Sequence, residues 1–156
     1  MKIIIVDTNI IFSCILNPQS KVGDLLLNSS DCIEYYAPAF LRLEIEKHKE
    51  KIRKISGLSD MDIEELKAII FSQISFINEE QIPFRIWQDS SRLLREIDSD
   101  DVAFLAASKY MDKDLWTGDK RLSKGLIKKG YPKVLTTSQV LEIRRKLRDK
   151  NAPNNG

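Results

Sequence analysis

Residues 2–11 read KIIIVDTNII. After Lys2 comes an unbroken β-branched run, Ile3 to Val6, without the polar alternation of a strand that has one wet face. This is the pattern of a strand covered on both sides, and such strands belong to parallel sheets. Asp7 follows directly, where burying a charge is expensive. Asp and Asn are favoured in strand-end turns because they bond the local backbone, which is one explanation. The other is that Asp7 belongs to a site, and the rest of the chain has to decide.

Outward from that stretch, 22–28 (VGDLLLN) reads as a short helix and 33–38 (IEYYAP) as a second strand stopped by Pro38. From Ala39 to about Ile55 the apolar spacing predicts one helix, broken by GLSDMD. A helix over 62–73 follows, with Asp62 and Glu65 in capping-box spacing. ISFI (74–77) reads as a strand, and Pro83 opens a helix to about 95. Residues 100–112 form another helix, LWT (115–117) a short strand, and 120–129 a helix ended by Gly130. KVLT (133–136) is the last strand and 137–149 a basic final helix. Strands alternating with helices predict an α/β fold, a three-layer α/β/α sandwich around a central, mostly parallel sheet. At 156 residues the chain is expected to be a single domain over 1–149, with 150–156 a disordered tail.

Hydrophobic residues make up 42% and charged residues 31%, which fits a globular chain and argues against disorder. No apolar stretch approaches the roughly 20 residues that cross a bilayer. The start MKIIIVDTN lacks the separate regions of a secretory signal, so a cytoplasmic protein with no membrane partner is expected. Cys14 and Cys32 show no metal or redox spacing and read as reduced core thiols. Charge is uneven. Residues 120–150 hold eleven Lys or Arg against two acids, while the remainder holds fourteen against twenty-one, giving +2 overall. A basic C-terminal third suggests a polyanion or an acidic protein as partner, or simply a solvated helical face.

Four acids stand out by position. On a helix over 40–55, Leu41, Leu43, Ile45, Ile52 and Ile55 define an apolar arc, and Glu44 and His48 fall inside it. A carboxylate there needs an ion pair or a metal. Helix 100–112 is apolar nearly all round, yet its first turn carries Asp98, Asp100 and Asp101. One acid would satisfy the helix dipole; three repel one another. Asp119, in LWTGDKRL, ends an apolar strand as Asp7 does. Carboxyl ends of parallel strands are where open α/β sheets bind ligands.

Oxygen donors without a His or Cys cluster suit a hard cation, Mg²⁺ or Mn²⁺. With a single His, a two-histidine ribonuclease mechanism is excluded. No Walker A or G-x-G-x-x-G stretch is present, so a P-loop or dinucleotide site has no support. Phosphatases with a strand-end Asp nucleophile need a second acid two residues on, where this chain has Asn9.

The segments IIIVDTNII, FLRLEIEKH, DSDDVAFLAAS and LWTGDKRL, in that order, resemble the four acidic motifs of PIN-domain nucleases. The resemblance spans residues 1–135 and implies a metal-dependent endoribonuclease that cleaves single-stranded RNA with a metal-activated water. Many small bacterial members are VapC-like toxins of toxin–antitoxin pairs, so an antitoxin and a homodimer are implied partners. Position by position, Asp7, Glu44, Asp101 and Asp119 match the catalytic, metal-binding acids. Asp98 is the substitute for Asp101, which is preferred because DVAFLAAS continues as the buried small-residue helix. The first three are expected to bind one Mg²⁺ or Mn²⁺, with Asp119 completing the site or holding a second ion. Asn9 and Thr117 match supporting polar positions. Lys120, Arg121 and Lys124 are candidate phosphate contacts, and steep loss of affinity with salt is expected if several act. The alternative is a catalytically idle PIN module that binds RNA or protein.

Overall fold

The Ile-rich run is the central strand of the molecule. In the computed structural model, which describes residues 1–97 and 99–153, β1 (Lys2–Val6) pairs in parallel with β2 (Ile33–Pro38) on one side and β4 (Asp114–Trp116) on the other. β3 (Ile74–Ile77) extends the sheet beyond β2, and β5 (Val134–Leu135) extends it beyond β4. The order is β3-β2-β1-β4-β5, all parallel. Ile4, Ile5 and Val6 are wholly buried, as a strand covered on both faces requires.

The helices are α1 (Thr8–Leu16), α2 (Lys21–Leu27), α3 (Phe40–Lys47), α4 (Lys49–Ser56), α5 (Asp60–Ser72), α6 (Phe84–Leu94), α7 (Val102–Met111), α8 (Lys120–Lys128) and α9 (Thr137–Asn151). α1 gathers α2, α3, α4 and α5, whereas α7 packs on β1, β2 and β4 with α6 beside it. This is the expected three-layer α/β/α sandwich.

Several elements differ from expectation. Residues 8–16, where the sequence predicts no element, form α1 and bury Ile10, Ile11, Cys14 and Ile15, a helical spacing hidden within an aliphatic run. The single helix expected over 39–55 is two, broken at His48 (φ −98°, ψ 15°). One helical wheel therefore cannot describe both halves. Leu41, Ile45 and Ile52 are buried, but Leu43, Ile55 and His48 are exposed rather than on the core face. α5 starts at Asp60, not 62, because the Ser59 side chain caps it by accepting the Asp62 N–H. The helix expected from 100 begins as a 3-10 turn over Ser99–Asp101, and Tyr110 on its outer side is exposed. α9 extends two residues past its expected end to Asn151. Asp98 and 154–156 lie outside the described residues. Cys14 and Cys32 are both buried and unbridged, and burial pushes the Cys14 thiol up to about 11.

Candidate active site

Strand order decides where a site can form. From β1 the chain winds outward to β2 and β3, then returns across β1 to β4 and β5. The winding reverses between β1 and β4, and in open α/β sheets the crevice at the carboxyl ends of two such strands is where ligands bind. Asp7 leaves β1 at that point, with its N–H bonded to the Trp116 carbonyl at the end of β4 (3.1 Å). Thr117, Gly118 and Asp119 leave β4 beside it.

Asp7 is 2% exposed. Its Oδ2 accepts the Thr117 hydroxyl at 2.7 Å and the Asn9 amide at 3.3 Å. The Thr117 Oγ1 in turn accepts Asn9 Nδ2 at 3.3 Å and the Asp119 N–H at 3.1 Å, and Asn9 Oδ1 accepts the Gly118 N–H at 3.0 Å. Asn9 and Thr117 thus hold both loops together around the carboxylate. Burial nevertheless pushes Asp7 up to about 6; the Thr117 and Thr8 hydrogen bonds oppose the rise, and repulsion from Glu44 and Asp119 adds to it.

Glu44 comes from α3, half-buried on the face that carries Leu41 and Ile45. Its Oε1 accepts the Thr8 hydroxyl at 3.1 Å, a contact from the start of α1 that no reading of the sequence pointed to. Desolvation raises its pKa, with Thr8 and the neighbouring His48 and Lys47 opposing and Asp100 adding to the rise. Asp119 caps α8 through Oδ1, which accepts the Leu122 N–H at 3.1 Å, while its charge acts on Asp7. Asp101 ends the 3-10 turn and precedes α7, which packs on β1, β2 and β4. The structure therefore brings Glu44 and Asp119 each within electrostatic reach of Asp7, with Asp100 acting on Glu44.

This donor set is oxygen only and fits a hard divalent ion, because an added cation would offset the desolvation, and the smaller repulsion, that raise Asp7 and Glu44. Among the described residues no group of three or more His, Cys, Asp or Glu forms a ready-made cage. Mg²⁺ does not require one, since it keeps several waters and takes one or two carboxylates plus substrate phosphate oxygens.

Most of the basic C-terminal helix lies elsewhere. α9 begins at the carboxyl edge, where the Trp116 indole donates to Thr137 Oγ1 (3.1 Å), and runs to the opposite edge. There Arg144 bonds Asp24 Oδ2 (2.6 Å) and Ser29 Oγ (3.2 Å), and Arg148 grips Asp31 (3.1 Å) and the Asn28 carbonyl (2.7 Å). Arg145 pairs with Glu142 and Asp149. Most arginine charge on this helix is thus matched within the molecule. Lys120, Arg121 and Lys124 are exposed on α8, immediately after Asp119.

An all-parallel sheet whose switch point presents repelling carboxylates defines an α/β protein with a carboxyl-edge acidic site. A family model of the PIN domain matches residues 5–145, and the chain belongs to the PIN-domain family. This is a family of metal-dependent nucleases whose members typically use divalent ions. Searches among curated proteins and among solved structures return no match. No helix among the described residues is long and apolar enough to cross a membrane.

Proposed function

We propose that this chain is an Mg²⁺- or Mn²⁺-dependent endoribonuclease acting on single-stranded RNA, in the cytoplasm, as the toxin half of a toxin–antitoxin pair. The observation that carries the nuclease reading is Asp7: a nearly fully buried carboxylate, clamped by Thr117 and Asn9 and repelled by two further acids. Such a group is costly to keep unless it does chemistry or binds a cation. In this reading Asp7, Glu44 and Asp101 hold the ion and Asp119 completes the site. The bound ion supplies an activated water and offsets charge on the phosphate. Thr117, Asn9 and Thr8 keep the carboxylates in place, so the metal-binding geometry is fixed before substrate arrives. Lys120, Arg121 and Lys124 would hold the RNA backbone on the side of Asp119. A homodimer and an antitoxin belong to the same proposal.

The test is cleavage of a labelled single-stranded RNA with Mn²⁺, with Mg²⁺ and with EDTA. Cleavage is expected with either ion, leaving 5′-phosphate and 3′-hydroxyl ends, and is expected to stop with EDTA. Asp7→Asn and Asp101→Asn should each lower the rate by at least about a hundredfold while the circular dichroism spectrum is kept. RNA binding without cleavage under every condition is the behaviour of an idle module and would displace the enzyme reading. A neighbouring reading frame for a small DNA-binding protein would support the toxin role.

A further inference from the structure

We propose that the cleft beside the carboxylates is a base-stacking subsite, in which Trp87 and Phe40 receive one unstacked base of a single-stranded RNA. This rests on the ribonuclease reading above. The cleft has a volume of about 920 Å³, near the top of the roughly 300–1,000 Å³ range of small-molecule sites. It is continuous with the candidate site, because Glu44 and Asp100 form part of its wall. A phosphate held by an ion at Glu44 would therefore bring the adjoining nucleoside to this cleft.

The same lining carries two aromatic side chains. Phe40, the first residue of α3, is 39% exposed, and its backbone N–H is tied to the carboxylate of Glu79. Trp87 on α6 is half-buried, so its indole is held by packing and still reaches the cleft. Arg42 lies with its guanidinium 3.9 Å from the centroid of the Phe76 ring, which fixes its plane, and it lines the same cleft with Lys47. Aromatic faces with cations beside them are the combination that seats single-stranded nucleic acid: rings stack on bases and cations meet phosphates. Stacking accepts any base, because every base has a π-face, but a base locked in a duplex cannot enter. The cleft would therefore select strand state more than sequence.

The two tryptophans make a direct measurement possible. Trp116 is wholly buried with its N–H bonded to Thr137, so a fluorescence change on adding RNA that is lost in Trp87→Phe reports on Trp87. The full chain, with EDTA present so that no strand is cut, is titrated with hexaadenylate and with a six-unit strand of abasic ribose phosphate. Hexaadenylate is expected to quench the fluorescence, and the abasic strand to leave it unchanged. Trp87→Ala and Phe40→Ala should each weaken hexaadenylate binding roughly tenfold and leave weak binding of the abasic strand as it was. Trp87→Phe should bind within about threefold of the parent and lose the quench. Saturable hexaadenylate binding without quenching overturns the subsite, and so does an equal loss on both strands in Trp87→Ala. If Trp87→Ala does not fold, the quench in the parent and its absence in Trp87→Phe decide alone. Metal-dependent cleavage that is indifferent to Trp87 sinks the subsite only, whereas a parent that neither cleaves nor binds hexaadenylate sinks the ribonuclease reading with it.

Discussion

At Asp7 two opposed effects meet in one side chain. Desolvation and the charges of Glu44 and Asp119 disfavour its ionised form; the Thr117 hydroxyl and the Thr8 N–H favour it, and the outcome is a pKa of about 6 against an ordinary 3.8. The native state therefore holds the proton more tightly than the unfolded chain. Between pH 4 and 6 folding takes up protons, so stability falls as pH rises through that window and the loss is complete above it. A rise from 3.8 to about 6 corresponds to about 3 kcal/mol at pH 7. Asp7→Asn should thus raise the melting temperature of metal-free protein at pH 7–8 by several degrees and do little near pH 4, even as it removes cleavage. Thermal denaturation of both proteins at the two pH values checks this, and a variant less stable than the parent at pH 8 would contradict it. Asp7 and Glu44 stand out in the sequence because a charge beside an apolar run or within an apolar face is energetically out of place, and the structure buries the first and half-buries the second. Thr8 and Trp87 do not, since a hydroxyl or an indole is unremarkable in its local sequence and gains meaning only from distant partners.

Elements show where local pattern stops informing. β1, β2 and β3 were legible because each is a short apolar run bounded by turn residues, and α6 because Pro83 opens it. α1 was not, because its buried residues follow β1 with only Asp7, Thr8 and Asn9 between, and β-branched side chains serve strands as well as helices. The break at His48 was hidden for a related reason, since two short amphipathic helices in tandem imitate one long one. α9 teaches the reverse lesson, because its charge was obvious and its direction was not. Arg144 has a side chain only 12% exposed and joins α9 to α2 through Asp24, whose carboxyl it holds below the usual range. Arg144→Ala should cost about 1–3 kcal/mol, for one charge-assisted contact and the packing around it. Urea denaturation would show the lower midpoint. Cleavage at a temperature where the variant is folded should be unchanged, because the contact lies at the sheet edge opposite Asp7. Lost cleavage at unaltered stability would mean that the basic helix serves the substrate after all.

For the whole molecule, strand order concentrates repulsion at one edge. β1 and β4 are neighbours in space but far apart in sequence, and their ends carry Asp7 and Asp119 into each other's field. A cation that binds there stabilises the folded chain by mass action, because the unfolded chain has no such crevice. At a hundred times its dissociation constant the gain is about 2.7 kcal/mol, or roughly 5–10 °C for a chain of this length. The gain must depend on pH, since a proton on Asp7 competes with the ion: it should be largest near pH 8 and shrink below pH 6. Asp7→Asn, already relieved of the charge, should gain almost nothing at either pH. Melting curves of parent and variant in EDTA and in excess MgCl₂ or MnCl₂, at pH 5 and pH 8, measure all of this at once. An equal rise in the two proteins would place the ion away from the switch point. No rise in the parent would mean that Thr117 and Asn9 alone make the buried carboxylate tolerable, and that the edge is built for something other than a metal.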